Sequence, residues 1–461
     1  MIAQEISTFD FHDIDEDILK GVYQELIDLD TRHALGEYYT PDWLCERILA
    51  EFDLTEGKRI LDPACGSGSF LIAAVHRFRE LNKKISVEEI NGSIYGIDIH
   101  PLSVQIAKTN MLLALGKEVV NAHTPVHINI ILANTLLAPD GVEDLFGSSF
   151  KMTIDKETLE LSSRILEDVK VFDEALEACE ELAEQTFRKK KATPETFENT
   201  LRRQIKDGGF KKQVLDSFYK IYESLRSVKE KGRDSIWKFI VQNLYKPYFL
   251  SKKFDYVIGN PPWFTYNSIK NGEYQDILNE LAEKYDVKPE KIANFPHLEI
   301  AAIFLAYCSS YFLKGNGSLA FVLPRSFFSA DHHDNTRSGK AKGFRVNHIW
   351  DLKDVSPLFR IPSSVLFAIK EKDSVKRSLP ASGIDGISFE GNLPTHNCKW
   401  VIAKDKLDEE KQKWYCIKQG GATAFSTRKV KSQSKINPYR ETFKQGATIV
   451  PRSFYFVELT Q

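Results

Sequence analysis

Residues 254–263 read Phe-Asp-Tyr-Val-Ile-Gly-Asn-Pro-Pro-Trp. Phe254–Gly259 has the apolar, β-branched and aromatic make-up of a buried strand, and Asn260-Pro261-Pro262 must end it. Proline has no N–H for a strand ladder and fixes φ near −65°. The residue ahead of a proline is driven out of the helical region. The Asn260 side chain, the neighbouring carbonyls and the Trp263 indole are thereby held at the carboxyl end of a strand, the edge at which open α/β sheets bind ligands. Such a constellation suits an exocyclic amine on a flat ring. The Asn260 side-chain oxygen and the Pro261 carbonyl can accept its hydrogens, and Trp263 offers a face for stacking. Taken alone, Asn-Pro-Pro is equally a rigid turn, so the surrounding chain has to decide.

Upstream, Arg59-Ile-Leu-Asp-Pro-Ala-Cys-Gly-Ser-Gly-Ser-Phe70 predicts a short strand, a glycine loop and a helix with an apolar face. Gly66 and Gly68 permit positive φ and close backbone approach, and the helix start offers N–H groups to an anion. Leu71 stands where the dinucleotide fingerprint needs its third glycine, and no P-loop lysine is present. The loop suits a ligand bearing a carboxylate and an ammonium, with Asp62 and nearby carbonyls for the ammonium. A second strand, Ser93–Ile99, carries Asp98 to its tip, where doubly wound folds hold a ribose diol. Pro101–Leu115 reads as a helix with proline near its start, and a third strand, His127–Ala133, ends at Asn134. After Asn260 comes a helix, Phe295–Leu313, stopped by Lys314-Gly-Asn-Gly317. Strands at Ser318–Pro324, His348–Leu352 and Ser364–Lys370 bring the expected total to seven, and the short connection between the last two predicts an antiparallel strand at one edge.

Three stretches fall outside this alternation. Residues 14–35 space Ile18, Val22, Leu26 and Leu29 as an amphipathic helix, and a second helix opens after Pro41 in Gly-Glu-Tyr-Tyr-Thr-Pro (36–41). Residues 141–250, rich in Glu, Lys, Arg and Leu, read as a helical insertion. Its clusters Arg188–Lys191 and Arg202-Arg203 read first as solvated faces and second as contacts to a polyanion. Beyond residue 375 the chain turns strand-prone and turn-rich. From Lys411 onward ten Lys or Arg face only Glu441 and Glu458. Trp414, Tyr415, Phe425, Tyr439, Phe443, Phe454, Tyr455 and Phe456 are interleaved, the footprint of nucleic-acid binding. This stretch reads as a domain begun and left incomplete. His332 and His333 invite a metal, but no third ligand is spaced to join them, so the expectation is a polar loop after Arg325 and no metal.

Composition sets the frame. The 461 residues are 42 % hydrophobic and 27 % charged, as in a soluble globular protein. The net charge of −2 gives no overall pull toward nucleic acid, so any such surface must be local. The six cysteines are scattered without a CxxC pair, so neither a zinc ribbon nor a disulfide framework is indicated, and reduced, cytoplasmic thiols are the simple reading. The acidic N-terminus is no signal peptide, and no apolar run reaches the ~18 residues of a membrane span.

In this order, Tyr-Tyr-Thr-Pro (38–41), Asp-Pro-Ala-Cys-Gly-Ser-Gly-Ser-Phe (62–70), Gly-Ile-Asp-Ile (96–99) and Asn-Pro-Pro-Trp (260–263) resemble the gamma-class amino DNA methyltransferases. More narrowly, they look like the modification portion of Type IIG restriction–modification enzymes and related phage-defence methyltransferases. The resemblance covers residues 30–375 and implies an α/β fold: a seven-stranded doubly wound, Rossmann-like S-adenosylmethionine methyltransferase sheet with an antiparallel edge strand. The organisation it implies is an N-terminal helical segment (1–50), a methyltransferase domain (51–375) interrupted by the helical insertion (141–250), and a partial DNA-recognition region (376–461).

The implied cofactor is S-adenosylmethionine. Tyr39, Thr40 and Pro41 would lie beside it, with Asp62, Pro63, Ala64, Cys65, Gly66 and Gly68 around its methionine part. Asp98 would take the ribose hydroxyls, Ile99 would lie against the adenine, and Asn134 stands where the family usually has Asp. The implied reaction methylates the N6 amine of an adenine flipped out of the duplex. Asn260, Pro261, Pro262 and Trp263 form the clamp, Trp263 replacing the family's more familiar Tyr or Phe, and Phe359 in Pro357–Pro362 is a second stacking ring. The implied partners are double-stranded DNA and a specificity or nuclease subunit. Two alternatives stay open: an RNA or protein-amide substrate, and a fragment that binds DNA or a partner and needs another subunit for activity. About thirty residues precede Gly36, too few for a nuclease fold, so no restriction activity is expected of this chain.

Overall fold

A computed structural model describes residues 39–122, 126–137, 142–144, 147–154, 157–166, 169–205, 210–232, 246–372, 382–419, 422–428, 437–445 and 448–456. The helix expected over 14–35 lies outside the described residues, as do the side chains of the basic, aromatic tail beyond Arg428. The strands are β1 Ile60–Asp62, β2 Ile94–Asp98, β3 Ile130–Leu132, β4 Val142–Asp144, β5 Gly147–Ile154, β6 Glu157–Ser162, β7 Phe254–Gly259, β8 Leu313–Pro324, β9 Phe344–Ser356, β10 Ser363–Lys370, β11 Ile384–Asn392, β12 Leu407–Gln419, β13 Ala422–Ser426, β14 Asn437–Gln445 and β15 Thr448–Phe456. The helices are α1 Asp42–Leu49, α2 Ser69–Leu81, α3 Val87–Ser93, α4 Pro101–Leu115, α5 Val169–Thr186, α6 Pro194–Gln204, α7 Lys212–Glu230, α8 Gly272–Lys284, α9 Ile300–Tyr311, α10 Asp334–Ser338 and α11 Trp400–Ala403.

The contacts divide the chain into two units. The first holds the residues up to Gly96, His100–Ile130 and everything from Lys252; the second holds Ile97–Ile99 and Ile131–Ser251. A mixed sheet runs β13-β12-β11-β9-β10-β8-β7-β1-β2-β3. β2, β1, β7 and β8 are mutually parallel. β10 is antiparallel to both β8 and β9. β11 runs parallel to β9, and β12 and β13 then alternate.

All seven strands read from the sequence are present, but the sheet has ten. The expected antiparallel edge strand, β10, is not at an edge. It is wedged between β8 and β9 and reads Ser-Ser-Val-Leu-Phe-Ala-Ile-Lys, buried from Ser363 to Ala368. Such a nearly continuous apolar run belongs to a strand covered on both faces. The three further strands come from 384–426, whose alternating charged and apolar residues suit a half-exposed sheet. The stop expected at Lys314–Gly317 lies inside β8, because α9 already ends at Tyr311. Gly317 is needed there: an added Cβ would come within 2.8 Å of Leu313 and 3.1 Å of the Asp255 carbonyl.

α9 is buried along almost its whole length, Ile300 to Ser309. A helix apolar on all sides belongs in a core. α1 buries Trp43, Leu44, Cys45, Ile48 and Leu49, and its far neighbours come late in the chain. The Trp43 N–H donates to the Cys398 carbonyl at 3.0 Å. The Trp400 N–H donates to the Glu46 carboxylate at 2.7 Å, and the Arg47 guanidinium pairs with Glu409 at 3.1 Å while lying 4.8 Å from the centre of the Trp350 ring.

The second unit has its own core, in which Phe172, Phe197, Phe218, Ile221, Tyr222 and Phe249 are buried together. The sequence reads 141–250 as wholly helical, but it opens with the antiparallel sheet β4-β5-β6 before α5, α6 and α7. The Tyr222 hydroxyl meets the buried polar ends of that helical packing, accepting from the Ala192 N–H at 3.0 Å. The basic clusters of this unit are partly neutralised: Lys191 pairs with Glu223, and Arg202 pairs with Glu198 at 2.8 Å. Among the described residues, no helix is long and apolar enough to cross a membrane.

Candidate active site

β1, β7, β8, β9 and β11 all run the same way, so the segments that follow them leave from one edge of the sheet. Those segments carry the glycine loop after Asp62, Asn260–Trp263 after Gly259, Arg325 after Pro324, Phe359 after Ser356 and His396 after Asn392. The sequence finds the first two and Phe359 through its motifs; direction of travel in the sheet explains why they share an edge.

The glycine loop is as expected. The Asp62 carboxylate is buried and accepts from the Ala64 N–H at 3.1 Å. The Gly68 N–H donates to the Cys65 carbonyl at 2.8 Å, and Gly66 and Gly68 take φ values of +52° and +90°. At Gly66 an added Cβ would meet nothing within 4 Å. The ground before it is thus open, and glycine is required for its backbone alone. At Gly68 a Cβ would sit 3.3 Å from that of Ala107 on α4. Asn110, on the same helix, donates to the Ser67 carbonyl at 3.0 Å from a buried position. This prop was missed in the sequence, where Asn110 looks like one polar residue on a helix. No side chain caps the start of α2, so its N–H groups face the loop as an anion site requires. The loop therefore suits a ligand that carries an ammonium and a carboxylate.

Gly259, the last residue of β7, lies directly over this loop: a Cβ there would come within 2.6 Å of Asp62 Oδ1. Asn260 follows. Its Nδ2 donates to the Thr40 hydroxyl at 3.2 Å, joining the Tyr-Tyr-Thr-Pro segment to the Asn-Pro-Pro segment. Pro41 opens α1, accepting the Leu44 and Cys45 N–H groups at 3.1 Å. Asp42 is tied by its N–H to the Asn397 side chain at 3.1 Å. Tyr39 and Pro63 belong to the same unit as Asn260.

Trp263 is only 6 % exposed. Its indole N–H donates to the Val322 carbonyl on β8 at 3.2 Å. The Phe359 ring meets it edge-on, centroids 5.0 Å apart and planes at 69°, and His396 follows at 6.2 Å from Phe359. The sequence pairs Trp263 with Phe359; His396 carries no motif and was missed. Asp98 and Asn134 belong to the second unit. There the Asp98 carbonyl accepts from the Ala133 N–H at 2.9 Å, and the Asn134 side chain accepts from the Leu136 N–H at 3.1 Å, capping a turn. Ile99 is 66 % exposed.

His332 and His333 do not sit in a polar loop. His333 is fully buried and stacked on Phe327, with ring centroids 3.8 Å apart. A third group does join them: Glu299, from well upstream in the chain. Its carboxylate receives His333, His332 at 2.7 Å and the Ser326 hydroxyl at 2.7 Å. Glu299, His332 and His333 each offer one ligand atom, all within 4.8 Å of one another, so the trio that the sequence reads as metal-free has the spacing to hold an ion as well as to pair within itself. Burial pushes the Glu299 carboxyl up, but the two imidazoles more than reverse this and hold it below the usual carboxylate range. Burial pushes His333 down to about 4 against the pull of Glu299. Glu299 is bridged to Thr265, so the cluster braces the segment that leaves Trp263. Beneath the loop, burial pushes the Cys308 thiol well up, and the nearby Asp62 charge adds to this.

Comparison with known proteins gives a consistent picture. Residues 92–359 match the family described as Eco57I restriction-modification methylase, and residues 14–149 match that described as N-6 DNA Methylase. A putative type II restriction enzyme and methyltransferase of Methanocaldococcus jannaschii is 23 % identical over 435 residues, covering 70 % of this chain and 35 % of the relative. The methylase subunit of the type I restriction enzyme EcoEI of Escherichia coli is 30 % identical over 116 residues, covering 24 % of each. The chain thus spans about a third or less of these curated relatives. A solved modification subunit of a putative type I restriction enzyme from Vibrio vulnificus has a TM-score of 0.41 at 17 % identity, covering 89 % of this chain and 62 % of that one.

Proposed function

The chain belongs to the Eco57I restriction-modification methylase family, and from that premise we propose that it transfers a methyl group from S-adenosylmethionine to the N6 amine of adenine in double-stranded DNA. The observation that carries this reading is the adjacency of Asn260 to the Asp62 glycine loop across Gly259. An acceptor for an amine and a cradle for an amino-acid-bearing cofactor stand side by side at one sheet edge.

The chemistry follows from what these residues can do. An adenine amine shares its lone pair with the ring and is a poor nucleophile. Asn260 Oδ1 and the Pro261 carbonyl accept its hydrogens and return electron density to the nitrogen. The cofactor supplies, when bound, an electrophilic methyl group on a sulfonium. Asp62 and the loop carbonyls hold its ammonium, and the N–H groups at the start of α2 hold its carboxylate. Tyr39 and Pro41 flank it, as the resemblance implies. Pro261 and Pro262 stiffen the clamp, so rate enhancement rests on positioning and preorganised dipoles.

A base inside a duplex cannot reach this edge and has to be flipped out, at a cost on the order of a few kcal/mol. Stacking returns roughly 1–3 kcal/mol per ring. Phe359, half-buried against Trp263, is the ring with a face to give, and Trp263 is the wall that fixes it. DNA sequence choice, and a specificity or nuclease subunit that would confer it, belong to this same reading. Its test is incubation of the chain with labelled S-adenosylmethionine and duplex DNA, RNA or protein in parallel. Label recovered as N6-methyladenine from DNA is the expected result. Label confined to RNA, protein or cytosine overturns the assignment.

A further inference from the structure

We propose that Thr40 is a positioning residue for Asn260: its hydroxyl fixes the Asn260 amide with the oxygen turned to the target amine. The inference rests on the methyl-transfer reading above, and departs from the cofactor role that the sequence resemblance gives Thr40.

The geometry is specific. Thr40 is 5 % exposed, and its Oγ1 accepts from Asn260 Nδ2 at 3.2 Å across 220 residues of chain. The backbone that carries it cannot drift. Pro41, at φ −63° and ψ 148°, starts α1, whose buried face holds it, and the Asp42 and Trp43 N–H groups are fastened to Asn397 and Cys398 at 3.1 and 3.0 Å. At the other end, Asn260 is gripped between the end of β7 and a proline, which leaves its side-chain torsions as the remaining freedom.

The two ends of a carboxamide are nearly the same shape and opposite in function: one accepts, the other donates. With the donor end turned to an adenine amine, N–H would face N–H and the lone pair would gain nothing. A threonine hydroxyl can accept from Nδ2 or donate to Oδ1, so the hydrogens of the amine choose the end that faces them, and the hydroxyl then holds the side-chain torsions at that setting. It does a second thing as well. An amide that donates through its nitrogen is polarised, and its oxygen becomes a stronger acceptor, in step with the positive charge that grows on N6 as the methyl carbon is transferred. The backbone and α1 place Thr40; Thr40 places the amide; the amide acts on the substrate.

The test compares wild type, Thr40→Val, which keeps the shape and removes the hydroxyl, and Thr40→Ser, which restores it. Saturating kcat should fall by about 10–100-fold in Thr40→Val, as misplacement of a reacting group does, with the Kd for S-adenosylmethionine and the KM for DNA within about threefold; Thr40→Ser should recover most of kcat. In Asn260→Ala, Thr40→Val should have no further effect on kcat, since the group it positions is gone. Unchanged kcat in Thr40→Val overturns the proposal, and so does a loss confined to cofactor affinity. A readout free of turnover separates this from the reading of the site. The Asn260 side-chain amide resonance, assigned by its disappearance in Asn260→Ala, should shift and exchange faster with solvent in Thr40→Val and not in Thr40→Ser. An amide signal indifferent to Thr40→Val refutes the coupling whatever the reaction proves to be. A wild-type chain that fails to methylate adenine while the amide responds counts against the proposed function and the kinetic half of the inference, and leaves the hydrogen bond itself established.

Discussion

The two halves of the ten-stranded sheet are built from similar strands and carry different burdens. In the parallel half, β2-β1-β7-β8, each strand hands over to a helix or turn that starts at the same edge, and conformations that favour glycine gather there: Gly66 and Gly68 have positive φ, and Gly259 is pressed on Asp62. In the mixed half, β10-β9-β11-β12-β13, neighbouring elements are stapled by side chains instead: Arg47 to Glu409 and over Trp350, Phe328 to Trp414 with ring centroids 4.9 Å apart, and Arg325 to Asp351 at 2.8 Å. One half gathers its polar loops at a single edge; the other is tied across its strands by ion pairs and ring contacts.

Substitutions should separate these burdens. The largest effect is expected from Asn260→Ala. Loss of a preorganised hydrogen-bonding group costs about 10²–10³-fold in turnover, while the Kd for S-adenosylmethionine stays within a few-fold, as radiolabel transfer and calorimetry would measure. A variant that still methylates at wild-type rate breaks the comparison, because the parallel edge would then not be the reacting one. Gly386→Ala probes the other half. Its Cβ would meet the Ile349 carbonyl at 2.3 Å and the Trp414 ring at 2.6 Å, and overpacking of this kind costs about 1–3 kcal/mol or more. Thermal unfolding should register that loss, with the folded remainder keeping its cofactor affinity.

Acid should act through the His333–Glu299 cluster. Folded His333 has a pKa of about 4 against an ordinary 6.5. Between those values the unfolded chain binds a proton that the folded one refuses. The stability from this group is therefore complete above pH ~6.5 and lost as pH falls toward 4, by about 3 kcal/mol at 1.36 kcal/mol per unit. Glu299, held below its usual range, adds a further loss at still lower pH. Urea titrations at pH 7, 6 and 5 should show the first decline, and His333→Phe should flatten it. Gly259→Ala is expected to be milder for stability than Gly386→Ala. The obstacle is the movable Asp62 carboxylate, so the cost should appear as roughly tenfold weaker cofactor binding, about 1.4 kcal/mol, with little change in Tm. Lys413→Ala removes an exposed pair with Asp385 and should leave the thermal unfolding midpoint unchanged.

The same contrast governs what could be read in advance. Asn260-Pro-Pro and the Gly66–Gly68 loop are legible because local rules dictate them: proline ends a strand, and glycine takes positive φ wherever it lies in the fold. β10 betrays its existence by its apolar run, but its slot between β8 and β9 depends on pairing energies that no short window contains. β11 to β13 alternate too weakly to announce that they extend the same sheet. Glu299 is invisible as the partner of His332 and His333 because it reaches them through tertiary structure, and the Asn110 and His396 contributions are hidden for the same reason. Thr40 lies inside a recognisable motif, yet that motif suggests a neighbour other than the one its hydroxyl has.

The fastening of α1 to residues 397–409 also sets a timetable. Chains emerge from the ribosome at about 5–20 residues per second, so on the order of tens of seconds separate the synthesis of Thr40 from that of the segment that anchors its helix. Until then α1 has α2 to rest on but lacks its anchors at 397–409, and the hydroxyl that meets Asn260 waits for them. The glycine loop, by contrast, can close as soon as β1, α2 and α4 exist. A nascent chain would acquire the elements of the glycine loop well before it could complete the corner that joins Thr40 to Asn260.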